Sequence, residues 1–495
     1  MKIFYKVYSS WFFNFVYKFY FFIIRIFESS LNYNYNKKNN PTLSLENIRN
    51  YNRSRIKGPK KIICNAPFTN AYINNSGNVL PCCKNVFNSF GNIKNDSFEN
   101  IWKSKEATSF RNKILNYELE GGCESCKYAI NTGNYDGALA KIYDKFLPIQ
   151  KYDFPNEITF ELSNICNLEC VMCQGEFSHL IRKNREELPA ISIVNENFVL
   201  DNLKPYLNKL KEAKFVGGEP FLIDIYYDIW NYLITNNKKC KIYILTNGTV
   251  LNNKVKKILS GGNIQLSISV DALEKDIYEK IRINAEFEKM HQNLLFFLSY
   301  NNKNKNTLNI NYCLMNNNWK QLPLILDFCQ QHFCSINILS VEQPENKSIR
   351  YLKPENIEKI ISYYNDNIYK YNNQLLKPFI DIINLLKEKV VESRNSKIQI
   401  LKFEALDYNT NLEYLLSIYK KNILNNYDNV YEQIQIKLNS YSVNDKNRVL
   451  ARYLTELMTW YENLGLLKVA DNTIISKTKI RFDEIYKELD NTEMN

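Results

Sequence analysis

The chain has 495 residues, with 64 Lys and Arg against 52 Asp and Glu, so its formal charge of +12 is a mild excess for its length. No dense basic run interleaved with aromatics occurs, which disfavours nucleic acid as a partner; a slightly basic surface reads as ordinary solubility. The length leaves room for two to four domains with buried cores.

Residues 11–27 read WFFNFVYKFYFFIIRIF. Lys18 and Arg25 interrupt the stretch, so it is a poor spanning helix. At 100° per residue Asn14, Lys18 and Arg25 share one narrow face opposite a wide aromatic one. That pattern suits a helix lying in a membrane interface, or one docked on the protein's own core or on a partner. No A-x-A site follows it, which argues against a cleaved signal peptide. The expectation for residues 1–45 is therefore an amphipathic aromatic and basic helix with peripheral membrane contact through residues 1–28, then the polar linker NYNYNKKNN.

Eight of the twelve cysteines fall in two groups, at positions 64, 82, 83, 123 and 126 and at positions 166, 170 and 173. Clustered C-x2-C spacing in a chain this long reads as metal ligation in a reducing, cytoplasmic compartment, not as a secreted disulfide scaffold. Cys240, Cys313, Cys329 and Cys334 stand in apolar surroundings and read as core.

Within residues 46–145, Cys64, Gly77 and Cys82 form C-x12-G-x4-C. Short β-rich segments (KIIC, NAYIN, NVLPC) around Ser76-Gly77 predict a hairpin that brings Cys64 and Cys82 together. An amphipathic helix over Ser97 to Leu115 follows, ended by Gly121 and Gly122, before the C-x2-C pair Cys123 and Cys126. Four thiolates close a site with no open position; zinc with four thiolates satisfies the spacing as well as an iron–sulfur cluster does. The unit resembles the twitch domain, the half-size relative of SPASM, which implies one auxiliary [4Fe–4S] cluster on Cys64, Cys82, Cys123 and Cys126. Cys83 is the spare thiol, able to replace Cys82. The unit precedes the next domain, where SPASM usually follows it.

Over residues 155–345, six strand-like runs alternate with amphipathic helical runs: ITFELS (158–163), AKFVGG (213–218), KIYILT (241–246), IQLSISV (264–270), LNINYCLM (308–315) and INILSV (336–341). Apolar strands alternating with helices predict a parallel sheet, curled by right-handed crossovers toward a barrel with its site at the strand C-termini. The first strand runs into Cys166, Cys170 and Cys173 in CNLECVMC. Three thiols at C-x3-C-x2-C leave one place empty on a four-iron cluster, which takes four ligands; a zinc knuckle or unrelated thiols is the plainer reading of the spacing alone. The second strand ends in Gly217-Gly218-Glu219-Pro220, the third in Thr246-Asn247-Gly248, and the fourth in SISVD, whose alternation puts Ser267, Ser269 and Asp271 on one face. In this order the motifs resemble the radical S-adenosylmethionine (SAM) superfamily. The resemblance covers about residues 60–345 and implies a partial (βα)6 barrel whose [4Fe–4S] cluster takes SAM as exchangeable ligand. It further implies SAM contacts at Met172 near adenine, at Gly217, Gly218, Glu219 and Pro220 through backbone, and at Asn247, Ser269 and Asp271. Asn247 equally fits an ordinary Asn-Gly turn. Arg282 fits either the SAM carboxylate or a surface salt bridge.

Residues 346–495 read as a helical region with apolar stripes and no chemical motif, with helices over 375–391, 411–424 and 448–467. The expected whole is an α/β protein: a small cysteine-rich SPASM/twitch-like domain, the radical SAM barrel, and an all-α C-terminal region. By resemblance it is an enzyme that splits SAM reductively to a 5′-deoxyadenosyl radical and takes hydrogen from a peptide or protein side chain. The expected electron donor is of the flavodoxin or ferredoxin kind. The alternatives are a small-molecule substrate (nucleotide, sugar or lipid-linked intermediate) and a non-catalytic metal-binding scaffold. His179, His291 and His332 join no recognisable constellation, so no general acid or base is named.

Overall fold

The structure is a computed structural model that describes residues 43–55, 58–146, 154–191, 196–262, 264–422, 427–464 and parts of 478–486. The membrane-interface helix expected within residues 1–28 lies outside the described residues. No helix among the described residues is long and apolar enough to cross a membrane. The chain divides into two compact units, residues 1–352 with 360–383, and residues 353–359 with 384–495.

The first unit is built on one nine-stranded sheet, ordered β3-β2-β1-β4-β5-β6-β7-β8-β9. The strands are β1 (Asn70–Ile73), β2 (Asn78–Leu80), β3 (Gly91–Asn92), β4 (Glu157–Phe160), β5 (Glu212–Phe215), β6 (Lys241–Thr246), β7 (Ile264–Ser269), β8 (Asn309–Leu314) and β9 (Ser335–Ser340). β4 to β9 are the six strands read from the sequence, all parallel and in chain order. Their outer face carries Phe160, Phe215, Ile244, Ile268 and Ile310, each buried against the covering helices. The helix Asp224–Asn236 supplies Tyr226 and Trp230, and Trp230 meets Phe215 edge-on with ring centroids 5.4 Å apart. The Tyr226 hydroxyl accepts from Leu162 N at 2.9 Å and lies 2.8 Å from Val216 O, tying the ends of β4 and β5 together.

The expected hairpin forms as β1 and β2, with Gly77 in the left-handed region at φ +84°. The KIIC segment is not a strand; it enters a short helix, Ala66–Thr69. β1 also pairs in parallel with β4, Asn70 opposite Glu157 and Ile73 opposite Phe160, so the cysteine-rich hairpin continues the barrel sheet. The helix expected over 97–115 is broken into Phe98–Trp102 and Lys105–Leu115, because Ser104 caps the second segment through Ala107 N. It ends at Asn116, followed by Tyr117 at φ +64°, not at the glycines. Gly121 and Gly122 instead turn the chain into Cys123, and a Cβ at Gly122 would meet Asn85 Oδ1 at 2.6 Å.

The second unit is helical. Leu415, Ile434, Leu450, Leu454 and Phe482 form its core, drawn from helices Tyr408–Asn422, Tyr427–Leu438 and Val443–Leu464 and from the segment around residue 482.

Candidate active site: two thiol sites joined by a polar half-barrel

Cys166, Cys170 and Cys173 lie in the loop that leaves the C-terminal end of β4, packed together with Leu168, Met172 and Ala285. The loop is held from three sides. Glu169 N and Val171 N donate to Ile283 O and Ile281 O at 3.1 and 2.9 Å. Arg185 donates to the carbonyls of Cys170 and Cys173. His179 Nδ1 accepts from Cys166 N at 3.1 Å. His179 thus orders the first thiol, a role that no local spacing signals.

Gly217 and Gly218 adopt φ of +81° and +49°, and a Cβ on Gly218 would meet Ile165 O at 2.1 Å. Only glycine lets the end of β5 approach the thiol loop this closely. Glu219 N donates to Ile165 O at 2.7 Å. The fully buried Glu219 carboxylate does not face the loop's open side: it accepts from Thr246 Oγ1 at 2.8 Å, Asn247 N at 2.7 Å and Phe221 N at 3.1 Å. Burial lifts this carboxyl to about 7 against the pull of those donors. Asn247 bonds Asn167 Oδ1 at 3.0 Å through Nδ2 and accepts from Thr249 Oγ1 at 2.7 Å, so it is more than a turn residue.

Arg282 is no surface residue. It is 4% exposed and paired with the fully buried Asp271 at 2.6 Å. Asp271 Oδ1 also accepts from Cys313 N at 2.8 Å. Met172 packs beside Cys313, Met315 and Val341, so Cys313 stands at this mouth instead of deep in the core.

The donor set fits a cluster. Three thiols converge, with Arg282 and Arg185 in electrostatic reach. Arg282 Nε and Tyr278 Oη, both buried, lack hydrogen-bond partners near Cys170, as donors facing a negatively charged group would in its absence. Burial pushes the Cys166 thiol up to about 12 and Cys170 to about 11, so ligation must displace their protons.

The second thiol site lies at the opposite end of the same sheet. Cys82 follows β2, whose end is fixed by Asn70 Nδ2 donating to Pro81 O at 2.8 Å, level with the start of β4. Cys64 lies within electrostatic reach of Cys126, Cys82 and Cys123, and its sulfur accepts from Ala66 N at 3.4 Å. Cys82 takes backbone N–H donors from Lys84 and Asn85, Cys126 from Leu139 and Ala140, and Cys123 accepts from Asn85 Nδ2 at 3.4 Å. Donors aimed at every sulfur suit thiolates. Cys83 is exposed, unlike these four. No group of three or more Cys, His, Asp or Glu among the described residues is arranged to hold a single metal ion. Four thiolates on one zinc would sit about 3.8 Å apart, from the Zn–S bond of about 2.3 Å; a four-iron cube spreads them wider. Beside this site the fully buried Arg55–Asp144 pair is bidentate, at 3.0 and 2.6 Å.

Between the two ends, the concave face of the sheet is polar. Register aligns Ser267, Asn309 and Ser335 in one row and Ser269, Asn311 and Asn337 in the next. Asn309 and Asn311 both donate to Ser267 Oγ, at 2.7 and 2.6 Å, and Asn337 donates to Asn311 at 3.0 Å. Ser267, Asn309, Ser335, Asn311 and Asn337 line a cavity of about 650 Å³ with Tyr243, Gln265 and Lys214, whose charge Glu157 meets at 3.0 Å. Just after β4, Glu161 accepts a hydrogen bond from the Tyr72 hydroxyl of β1. Burial lifts the Glu161 carboxyl to about 7, with the Tyr72 bond opposing.

A thiol loop at the carboxyl end of a parallel strand stands where an α/β fold of this kind places its site. Residues 160–329 match the radical SAM superfamily, and residues 64–127 match the SPASM iron–sulfur cluster-binding domain. The chain thus carries a radical SAM match over residues 160–329 with an iron–sulfur SPASM match ahead of it, and both domains imply [4Fe–4S] clusters. Among curated relatives, a probable GTP 3′,8-cyclase of Methanocaldococcus jannaschii is 28% identical over 178 residues, covering 35% of this chain and 54% of the relative. A cysteine-type anaerobic sulfatase-maturating enzyme of Clostridium novyi is 27% identical over 193 residues, covering 37% of this chain and 50% of the relative. The chain thus spans about half the length of these relatives. Among solved structures, Streptococcus suis SuiB bound to its precursor peptide SuiA aligns at 17% identity with a TM-score of 0.34, covering 50% of this chain and 53% of that one.

Proposed function

We propose that the protein cleaves SAM reductively and uses the resulting radical to modify a peptide or protein side chain. The observation that carries this reading is the placement of two thiol sites along β4, one in the loop after its carboxyl end and one level with its start. Cys166, Cys170 and Cys173 would hold the SAM-binding cluster, and Cys64, Cys82, Cys123 and Cys126 the auxiliary one, leaving exposed Cys83 as the spare. The SAM-bound cluster supplies a 5′-deoxyadenosyl radical able to take hydrogen from an unreactive C–H bond.

The chain's own residues do the orienting. The backbone of Gly217, Gly218 and Pro220 lines the approach to the open cluster place, Met172 offers a thioether to adenine, and Ser269 lies toward the ribose. Asp271 and Arg282 act as a buried charge pair beneath Cys170, and Glu219 and Asn247 hold the surrounding loops. These assignments give polar groups fixed in advance and a site that excludes water.

The carboxamide-lined face favours a neutral, hydrogen-bonding substrate. A nucleoside triphosphate asks for several free cations, whereas the lining offers Lys305 and a Lys214 already met by Glu157. An electron donor of the flavodoxin or ferredoxin kind, a cytoplasmic location and membrane contact through residues 1–28 complete the proposal. Anaerobic reconstitution tests it: about eight irons per chain and 5′-deoxyadenosine release with SAM and dithionite are expected. Zinc alone, with no SAM cleavage, would leave a metal-stapled scaffold.

A further inference from the structure

The helix Gln321–Gln331 ends at His332, and the next residue, Phe333, takes φ +54°. Cys334 N then reaches back to Cys329 O at 2.9 Å. This six-to-one bond around a left-handed residue is the Schellman ending, which brings the side chains three before and two after the cap into contact. An apolar pair normally fills that contact. Here it is filled by Cys329 and Cys334, 0% and 3% exposed. Cys334 Sγ donates to His332 O at 3.8 Å, and the neighbouring Cys329 thiol draws Cys334 below the ordinary thiol range. Phe333 between them is 85% exposed, so the turn itself is at the surface although the sulfurs are covered. Neither cysteine belongs to the two thiol sites, and neither faces the cavity.

We propose that Cys329 and Cys334 form a thiol–disulfide site, oxidised by a small peroxide to an intrachain disulfide that clips the helix end to the start of β9. In the first step the Cys334 sulfur attacks one peroxide oxygen, giving a sulfenic acid and releasing water once the thiol proton is counted. In the second, the Cys329 sulfur displaces that hydroxyl as water. One S–S bond replaces two S–H bonds, and hydrogen peroxide, the two-electron oxidant, is reduced to two waters. The turn geometry supplies the close approach that a disulfide requires. Ser335 and Asn337, which line the cavity, follow directly on Cys334, so the clip would stiffen one wall of that cavity.

Both cysteines fall on one tryptic peptide, residues 321–347, with no other cysteine. Anaerobically reconstituted protein is exposed to stoichiometric hydrogen peroxide while the visible cluster absorbance is followed. It is then quenched in acid, alkylated and digested. The expected result is loss of two hydrogens from this peptide, with no alkyl group on either cysteine, before the cluster absorbance falls. In Cys334→Ser, Cys329 should be alkylated to the same extent with and without peroxide. Full alkylation of both cysteines in the treated parent protein would overturn the proposal. So would a disulfide that appears only after the cluster absorbance is gone, or a Cys329 that oxidises equally without Cys334.

Discussion

His179 shows how a single residue can order a metal-binding loop without touching metal. Its Nδ1 is the acceptor for Cys166 N at 3.1 Å. His179→Phe leaves that buried donor without a partner, at about 1–3 kcal/mol. Iron per chain should drop after reconstitution, while the auxiliary thiols still load. The Arg55–Asp144 pair makes a second residue-scale case. With both side chains sealed from water, Asp144→Ala strands a guanidinium and should cost about 3–5 kcal/mol in denaturant unfolding. Glu161 makes the third, through pH. Its folded carboxyl, at about 7, lies above the ordinary carboxylate range, so the folded protein holds this proton more tightly. That contribution is full below the unfolded value and is lost as pH rises through about 7. Relative to Glu161→Gln, the parent should therefore lose stability between about pH 5 and about pH 8. Parallel pH profiles for the two proteins would show that Glu161 ionises normally. Tyr72 and Glu176 are the titratable groups that face it.

At the scale of elements, the six parallel strands were legible because each is a short apolar run, and the first four are closed by a chemical motif. Each observed span lies within two or three residues of its expected one, since alternation reports which face is buried. Gly217-Gly218 was legible as a close approach, and the structure supplies the reason in Ile165 O. Glu219 and Asp271 were expected at the site from the motifs, but the direction of each side chain was not legible. Their partners (Thr246, Asn247, Cys313) sit 27 to 42 residues away, and nothing local encodes those bonds. The same holds for Tyr72 and Glu161, 89 residues apart. Gly218→Ala tests the loop packing directly. The clash with a backbone oxygen cannot be relieved by a rotamer change, so SAM affinity should fall at least tenfold, about 1.4 kcal/mol, by equilibrium binding to reconstituted protein.

For the molecule as a whole, the pairing of β1 with β4 matters most, and the sequence offered no sign of it. A short run such as NAYI is compatible with many partners, and register between residues 87 apart in the chain is set by packing alone. The consequence is mechanical coupling. The hairpin, with Cys82 just after it and Cys64 just before the helix that leads into it, also covers the edge of β4, which would otherwise present unpaired backbone groups. Replacing Cys64 and Cys123 by Ala should therefore speed amide exchange in β1 and β4, while β8, four strands away, keeps its protection. Unchanged exchange in β4 would mean that the edge holds without the metal site.

The strand order has a further reading in time. The strands β1 to β3 precede the others in the chain, β4 pairs back with β1, and every strand from β5 to β9 takes its place beside the one made just before. A nascent chain leaving the ribosome at about 5–20 residues per second can thus extend the sheet from β4 in one direction. No strand waits for a later one to be inserted between it and its neighbour. The amino-terminal cysteine site then serves as the starting selvedge of the fabric, finished before the weaving of the barrel begins.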